Sequence, residues 1–303
     1  MKRFSFDYMN AAGYAKSVDH VRKLAQVPLT THIVVGGITC AAQEGNTGGT
    51  NFVQVGNDFF NSLGLPNKGK EWLRSNLPEM CNIAIDTGKK LVVNISGGTP
   101  QEYVDLGVVA HEGGADIVEL NLSCPNKFGP GGKQSDMFAF DVAAMDMLKV
   151  LWRERLGTKI ETWWKLSPYA NPMERVRIAQ FLYTTDAARV TLCNTFPNAR
   201  PRDKDSKLLV TAKNTNGRAG LSGEGLRIIS QINVEHFREL LPTRIGINGA
   251  GGIDSGTVLE EYRQLGCDGM QVAGAFMINE DVSVLHDIAA QWADNYFPVE
   301  AEA

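Results

Sequence analysis

The chain has 303 residues, of which 43% are hydrophobic and 21% are charged, and its formal net charge is −4. This composition is typical of a globular enzyme, and the weak negative charge gives no reason to expect a nucleic-acid partner or an anionic membrane. No apolar run approaches the roughly 20 residues of a membrane span, and the first residues do not resemble a signal peptide, so we expect a cytoplasmic protein.

Short apolar, β-branched runs alternate with helix-like segments along the whole chain. Between the runs, apolar residues recur every three or four positions, and Gly157 and Gly266 are predicted to end helices. Eight such strands, buried on both faces, predict a parallel (β/α)8 TIM barrel rather than an open doubly wound sheet, because no G-x-G-x-x-G motif follows the first strand. The predicted strands lie at 6–13, 32–37, 91–96, 117–123, 160–167, 188–194, 244–249 and 269–274.

The predicted barrel accounts for the whole chain, so we expect one domain over residues 1–303, with a frayed tail at 298–303. Two long non-helical stretches, at about 38–67 and 195–224, are predicted insertion loops. Loops of this length in a compact domain are usually functional. The sequence does not assign a role to their central parts, 38–60 and 196–218.

Polar residues gather where the predicted strands end, which is where barrel enzymes carry their chemistry. Most are amides, and carboxylates and histidines are nearly lacking there, which excludes glycosidase-like acid pairs and a histidine-centred metal site. Convergent amides suit a planar ligand with alternating C=O and N–H groups. The residues at these ends are Asn10, Asn94, Asn121, Asn126, Lys165, Asn194 and Thr195, and Asn61 lies inside the first of the long loops.

The segment "NGAGGIDSG" follows the seventh strand and precedes a helix, and the glycine-containing "VAGAF" follows the eighth strand. Glycines let the backbone approach a ligand closely, and a helix N-terminus adds positive partial charge, so we predict a phosphate site here. A phosphate site beside a planar site indicates a mononucleotide cofactor.

Two further residues have both a structural and a functional interpretation. Lys165 could extend to the surface from its strand end, or be a fixed cation beside a cofactor ring that becomes anionic on reduction. Cys124 lies in a turn held by Pro125, and its thiol could act as a general base if its pKa were lowered toward neutrality. The other four cysteines form no C-x-x-C pair; we expect Cys81, Cys193 and Cys267 to be buried and inert, and assign no role to Cys40.

Several of these segments together resemble the dihydroorotate dehydrogenase family, from about Phe6 to Met277. The segments are "NSLGLPNKG", "ELNLSCPN", "KLSPY", "NT" after the sixth strand, "AGLSGEGL" and "NGAGGIDSG…GMQVAGAF". The cysteine in "NLSCPN" resembles the soluble cytosolic class, and "NSLGLPN" is closer to the fumarate-using homodimeric branch than to the NAD-linked branch. The resemblance implies oxidation of dihydroorotate to orotate with FMN and a small-molecule acceptor, in a homodimer with no membrane or nucleic-acid partner.

The resemblance also implies roles for individual residues. Cys124 matches the base that removes a proton from C5 of dihydroorotate while C6 passes hydride to N5 of FMN, and Lys165 matches the lysine at the pyrimidine edge of the flavin. The implied substrate-binding residues are Asn61, Leu63, Gly64, Leu65, Asn121, Asn126, Asn194 and Thr195. The implied cofactor-binding residues are Ala12, Gly13, Gly37, Ile38, Asn94, Asn121, Lys165, Gly223, Gly251, Gly252, Ala273 and Gly274. The loop Lys127–Gln134 is expected to close over both ligands.

One segment departs from the family pattern. After the second strand, the lysine that contacts flavin and substrate carboxylate falls on Gly37, and the arginines and prolines that follow it are missing. Losing a charge-assisted contact costs about 1.5–3 kcal/mol, or roughly tenfold to a hundredfold in affinity. The sequence therefore leaves open an FMN enzyme that acts on an uncharged dihydropyrimidine or ene-type substrate. A non-redox phosphate-binding barrel and a non-catalytic flavin-binding homologue are further alternatives.

Overall fold

The structure is a computed structural model that describes residues 6–128, 132–277 and 279–296. The expected frayed tail at 298–303, and residues 129–131 of the expected lid Lys127–Gln134, lie outside the described residues. The strands are β1 Asp7–Asn10, β2 His32–Ile38, β3 Phe52–Val55, β4 Asp58–Asn61, β5 Lys90–Ile95, β6 Ile117–Asn121, β7 Glu161–Lys165, β8 Arg189–Leu192, β9 Phe196–Ala199, β10 Ala219–Gly223, β11 Gly246–Ala250 and β12 Gly269–Val272. The helices are α1 Val18–Ala25, α2 Gly69–Asp86, α3 Pro100–Glu112, α4 Val142–Arg155, α5 Pro172–Leu182, α6 Glu224–Leu240, α7 Gly256–Gln264, α8 Gly274–Met277 and α9 Ser283–Tyr296.

Eight strands of the described chain close into a parallel barrel in the order β1-β12-β11-β8-β7-β6-β5-β2. The barrel closes between β1 and β2, where the Asn10 side chain donates to Val34 O at 2.8 Å and accepts from Val34 N at 3.0 Å. The Asn10 side chain therefore links β1 to β2 by two hydrogen bonds. The predicted (β/α)8 barrel and its eight strand positions are confirmed.

Helix ends follow ordinary capping chemistry. The Ser17, Thr99 and Ser255 side chains each accept a backbone N–H in the first turn of α1, α3 and α7. Gly157 and Gly266, at φ 53° and 91°, lie just after α4 and α7, where a left-handed residue ends a helix most easily. None of the helices in the described residues is long and apolar enough to cross a bilayer.

The barrel strands alternate between two environments. In β6, Val118 and Leu120 pack outward against the helices, whereas Ile117 packs inside the barrel with Met9, Val34, Val92 and Trp163. Because strand side chains alternate with period two, Glu119 and Asn121 share the inward face with Ile117. The barrel interior is thus apolar at one level and polar toward the C-terminal ends of the strands.

The two long stretches predicted as insertion loops are not irregular throughout. β3 and β4 come from the first and β9 and β10 from the second, and they form an antiparallel sheet in the order β3-β4-β10-β9. Asn61 pairs with Gly220, and Asp58 pairs with Gly223. The central pairing joins segments more than 150 residues apart, so local pattern could not indicate it. The β3–β4 hairpin turns at Gly56, whose φ is 60°.

Candidate active site

A cleft with two halves opens at the C-terminal ends of the barrel strands. We call one half the glycine half, lined by Gly223, Gly251, Gly252, Ala273 and Gly274. We call the other the amide half, lined by Asn61, Asn121, Cys124, Asn126 and Asn194. The halves are continuous because they share lining residues: Ala12, Lys165, Asn194, Thr195, Ser222, Ala273 and Gly274.

The amides form two hydrogen-bonded pairs in the amide half. Asn194 Nδ2 donates to Asn121 Oδ1 at 3.1 Å, and Asn126 Nδ2 donates to Asn61 Oδ1 at 2.8 Å. Asn61 ends β4 of the small sheet, so the second pair joins that sheet to the turn after β6. Asn126 Oδ1 is buried without a hydrogen-bond partner within the described residues. A buried acceptor in this state is suited to a ligand N–H.

The remaining substrate-side residues implied by the sequence also reach the cleft. Leu63, Gly64, Leu65 and Thr195 line the amide half. Leu65 has φ 56°, a left-handed conformation that is strained for a branched side chain and is typical of functional loops. Within the described residues, the backbone N–H groups of Gly64 and Leu65 have no acceptor.

Cys124 is half-buried at the edge of the amide half and is not turned into packing. Burial raises the pKa of its thiol above the ordinary value, while the backbone N–H of Asn126 and the cations of Lys127 and Lys16 act in the opposite direction. The sum is a raised pKa, so the lowering toward neutrality that base catalysis would favour is not present. At neutral pH the group is a thiol rather than a thiolate.

The other cysteines match their expected environments. Cys81, Cys193 and Cys267 are buried, and burial raises the pKa of each thiol. Cys193 also borders the glycine half. Cys40, which the sequence could not place, is half-buried, with Sγ 3.6 Å from Glu102 O.

Lys165 ends β7 inside the barrel and does not extend to the surface, since its side chain is 6% exposed. Its Nζ donates to Gln271 Oε1 at 3.0 Å and lies 3.9 Å from Glu119 Oε1. The interpretation as a fixed cation at the centre of the cleft therefore fits the geometry. The alternative of a lysine reaching solvent is wrong.

Glu119 is a buried carboxylate that the sequence inventory missed. It is 0% exposed and accepts hydrogen bonds from Asn94 Nδ2 at 2.6 Å, Thr191 Oγ1 at 2.7 Å and Gln271 Nε2 at 2.7 Å. The sequence "VELN" does carry the signal. Glu119 lies two residues before Asn121 in the same strand, so both side chains point to the same face, and Asn121 was predicted to face the cleft. The expectation that carboxylates are nearly lacking at this end is correct only for the rim.

Two positions matched to the cofactor lie behind the cleft wall and do not line it. Asn94 is fully buried, donates to Glu119 and accepts from Asn121 Nδ2 at 3.4 Å. Ile38 is buried in the outer core between the barrel and the helices. Asn94 is therefore joined to the cleft wall by its hydrogen bond with Asn121, and the side chain of Ile38 belongs to packing. Ala12, Gly13 and Gly37 do line the cleft.

The glycine half offers backbone donors, although not at the helix that the sequence suggested. The N-terminus of α7 is occupied, because Ser255 accepts Val258 N–H and Gln291 Oε1 accepts Gly256 N–H at 2.6 Å. Within the described residues, the N–H groups of Gly252, Gly274 and Ala275 have no acceptor. The backbone donors available to the phosphate site predicted on "NGAGGIDSG" therefore lie in its glycine turn and at the start of α8, and not at α7.

Close backbone approach explains the glycines of this half. A Cβ at Gly252 would lie 2.5 Å from Gly223 O, and a Cβ at Gly274 would lie 2.8 Å from the Phe59 ring. Both distances are shorter than real Cβ contacts, so a side chain at either position would displace the cleft wall. The donors, the glycines and the adjacent Lys165 fit a phosphorylated planar cofactor such as FMN.

The fold is a (β/α)8 barrel, and its cleft places a glycine-rich half beside an amide-rich half at the C-terminal ends of the strands. The family model described as dihydroorotate dehydrogenase matches residues 2–294. The NAD(+)-type dihydroorotate dehydrogenase B catalytic subunit of Brachyspira hyodysenteriae is 30% identical over 86% of this chain and 79% of its own length. The fumarate-type enzymes of Saccharomyces bayanus and Saccharomyces cerevisiae are 28% and 27% identical, each over 95% of this chain and 88% of their own length. The chain belongs to the dihydroorotate dehydrogenase family, whose members are oxidoreductases acting on CH–CH groups.

Proposed function

We propose that the protein is an FMN-dependent dihydroorotate dehydrogenase that oxidises (S)-dihydroorotate to orotate, a step of pyrimidine synthesis. The observation that carries the proposal is the amide half itself. Two hydrogen-bonded carboxamide pairs and a half-buried thiol surround a space that is continuous with the glycine half. This is the arrangement needed to hold a flat, amide-rich ring against a planar cofactor.

The roles of the residues follow from their contacts. Asn126 Oδ1, buried without a partner in the described residues, accepts a ring N–H, and the other amides fix the ring orientation. Cys124 takes the proton from C5 in its thiolate form, so its thiol must first lose its own proton to solvent, and Lys165 supplies positive charge between the two halves. Bound FMN would supply the two-electron acceptor for the hydride from C6. The N–H groups of Gly252, Gly274 and Ala275 would hold its phosphate.

The acceptor, assembly and location are also part of this proposal. The segment "NSLGLPN" supports fumarate as acceptor, although the relatives include both fumarate-type and NAD(+)-type enzymes. The resemblance to the fumarate-using branch also supports a homodimer in the cytoplasm. Sedimentation of the purified protein tests the dimer. Stopped-flow reoxidation with fumarate, and separately with NAD(+), tests the acceptor.

Anaerobic mixing of the purified flavoprotein with dihydroorotate tests the central claim. We expect the flavin absorbance to bleach and one orotate to form per flavin. Cys124→Ala serves as the control that retains the cleft but lacks the base. A flavin that stays oxidised in the parent protein would contradict the proposal, as would a purified protein that binds no FMN.

A second candidate follows from the sequence resemblance. The resemblance places a family lysine at the position of Gly37, so an FMN enzyme for an uncharged dihydropyrimidine or ene-type substrate is the alternative. Dihydrouracil, dihydrothymine and activated alkenes would then reduce the flavin as fast as dihydroorotate or faster. Strict dependence on the substrate carboxylate would eliminate this candidate.

A further inference from the structure

Glu119 lies beside Lys165 but outside the cleft. Lys165 lines both halves, whereas Glu119 lines neither half and is fully buried. The two side chains form no direct hydrogen bond, since Glu119 Oε1 lies 3.9 Å from Lys165 Nζ. Gln271 bridges them, because its Oε1 accepts from Lys165 Nζ at 3.0 Å and its Nε2 donates to Glu119 Oε2 at 2.7 Å. A ligand in the cleft can therefore contact the cation, while the carboxylate acts on that ligand from behind it.

The surroundings of Glu119 favour its ionised form. The side chains of Asn94, Thr191 and Gln271 each donate one hydrogen bond to it. The Gln271 amide is held in the donating orientation because its oxygen accepts from Lys165. A carboxylate is an acceptor-only group and can accept all of these bonds, whereas a proton on it would set one donor against another. Glu119 thus brings a negative charge to the centre of the barrel.

Lys165 offers its charge to the cleft. An ammonium group has three N–H donors, and Lys165 Nζ makes one hydrogen bond with a described residue. In the described part of the chain, the charged residues that line the two halves are Lys16, Lys165 and Asp254. Asp254 pairs with Arg227 at 2.7 Å and is 48% exposed, so solvent screens its charge. Glu119 is therefore the carboxylate that balances the cation at the centre of the cleft.

The cation and the carboxylate have opposite effects on a cofactor that gains negative charge on reduction. The ammonium group stabilises the reduced form and raises the reduction potential, whereas the carboxylate destabilises that form and lowers the potential. Both effects are strong in a buried site, because the effective dielectric constant there is far below that of water. A dehydrogenase takes two electrons from its substrate and passes them to an acceptor, so it must not hold the reduced cofactor too tightly.

We propose that Glu119 is a positioning residue that acts through Lys165 and sets the reduction potential of FMN in the cleft. Its charge offsets part of the ammonium charge, and its hydrogen bond with Gln271 fixes the acceptor to which Lys165 Nζ donates. The potential of bound FMN thereby stays low enough for electrons to pass on to the acceptor. The proposal rests on the proposed function, because it requires FMN beside Lys165.

The midpoint potential of FMN in the loaded protein tests this role. It is measured anaerobically against a reference dye, without dihydroorotate, so the result does not depend on the substrate. In Glu119→Gln the preference for reduced over oxidised FMN should grow about tenfold or more, which raises the potential by about 30 mV for a two-electron couple. Asp19→Asn makes the same change in net charge at a side chain that is 80% exposed, and it should leave the potential unchanged.

Thr191→Val is the control for a merely structural role. It removes one hydrogen bond from Glu119 but leaves the carboxylate and its charge in place. If the charge is what matters, Thr191→Val should not raise the potential, even where it lowers the stability of the fold. A rise as large as that in Glu119→Gln would mean that any disturbance of the network has this effect, and would overturn the proposal.

A double variant, Glu119→Gln with Gln271→Glu, exchanges the carboxylate and the amide at constant net charge. Gln271 lines the glycine half and lies 3.0 Å from Lys165 Nζ, so the carboxylate would come closer to the ammonium group and to the cleft. We expect a potential below that of the parent. Because the buried charges stay balanced, this variant decides the question if Glu119→Gln alone does not fold. A potential equal to or above that of the parent would overturn the proposal.

The outcomes separate this role from the proposed function. If Glu119→Gln binds FMN with the potential of the parent, the role of Glu119 is overturned while the dehydrogenase proposal stands. A parent protein that binds no FMN would overturn both.

Discussion

Glu119→Gln tests the buried network that holds the centre of the cleft. The substitution keeps the shape of the side chain but removes its charge and turns one acceptor into a donor. Glu119 accepts three hydrogen bonds of 2.6–2.7 Å and faces Lys165 Nζ at 3.9 Å, with both side chains almost fully buried. The NH2 group of a glutamine at this position would face another donor, either Asn94 Nδ2 or the donors of Thr191 and Gln271, so at least one hydrogen bond would be lost.

The magnitude follows from what the substitution leaves behind. Lys165 would become a buried cation without a carboxylate, and breaking a buried pair in this way costs about 3–5 kcal/mol. Asp19→Asn is the matched control, because Asp19 pairs with Arg22 at 2.7 Å but is 80% exposed. Exposed pairs contribute at most about 1 kcal/mol, so the control should unfold almost as the parent does.

Urea unfolding at a fixed excess of FMN measures these differences as changes in midpoint at constant m-value. Lys165→Met, alone and combined with Glu119→Gln, completes a double-mutant cycle. The double variant should be less destabilised than the sum of the two single variants. Additive effects, or a Glu119→Gln variant within about 1 kcal/mol of the parent, would refute the view that the carboxylate balances Lys165.

Three further predictions concern the cleft. Cys124→Ala should slow flavin reduction by dihydroorotate by at least about a hundredfold without lowering the affinity for FMN, because only the base is lost. Reduction at the parent rate in stopped flow would contradict this. As pH rises through about 8, Lys16, whose side chain lines the amide half, loses its proton and the affinity for the orotate anion should fall, whereas the saturated reduction rate should rise only at higher pH, because burial raises the pKa of the Cys124 thiol. In Lys16→Arg the affinity should stay level over that range, and a fall identical to the parent's would assign the titration to another group. Gly274→Ala should lower the affinity for FMN about tenfold in fluorescence titrations, since its Cβ would lie 2.8 Å from the Phe59 ring. An unchanged affinity would show that Phe59 moves aside freely.

Periodicity was sufficient to predict the barrel. The strands around Val92, Val118 and Val190 are apolar on both faces, and only a sheet covered by helices and filled at its centre buries both faces. The sheet formed by β3, β4, β9 and β10 was not predicted, because its central pair brings Asn61 against Gly220 across the barrel. Strands of four or five residues carry little local signal of such a distant partner.

The amides, Cys124 and Lys165 could be predicted as site residues because each follows a recognisable strand. Glu119 was not predicted, although it lies two residues before Asn121 in β6 and therefore points to the same, inward face of the strand. The position of Lys16 in the lining of the amide half could not be predicted from sequence, since a single lysine before a helix is usually solvated. Its side chain is directed by the hydrogen bond from Nζ to Pro66 O, which joins segments 50 residues apart and is a property of the folded cleft.

The pairing of β4 with β10 makes one rigid element serve both ligands. Asn61, at one end of this ladder, lines the amide half, and Gly223, three residues beyond the partner of Asn61, lines the glycine half. A slip of one residue between the two strands would misplace both at once, because side chains change face with every step. A nucleotide bound in the glycine half should therefore fix the position of Asn61 before a pyrimidine binds. This predicts ordered binding, with the cofactor first.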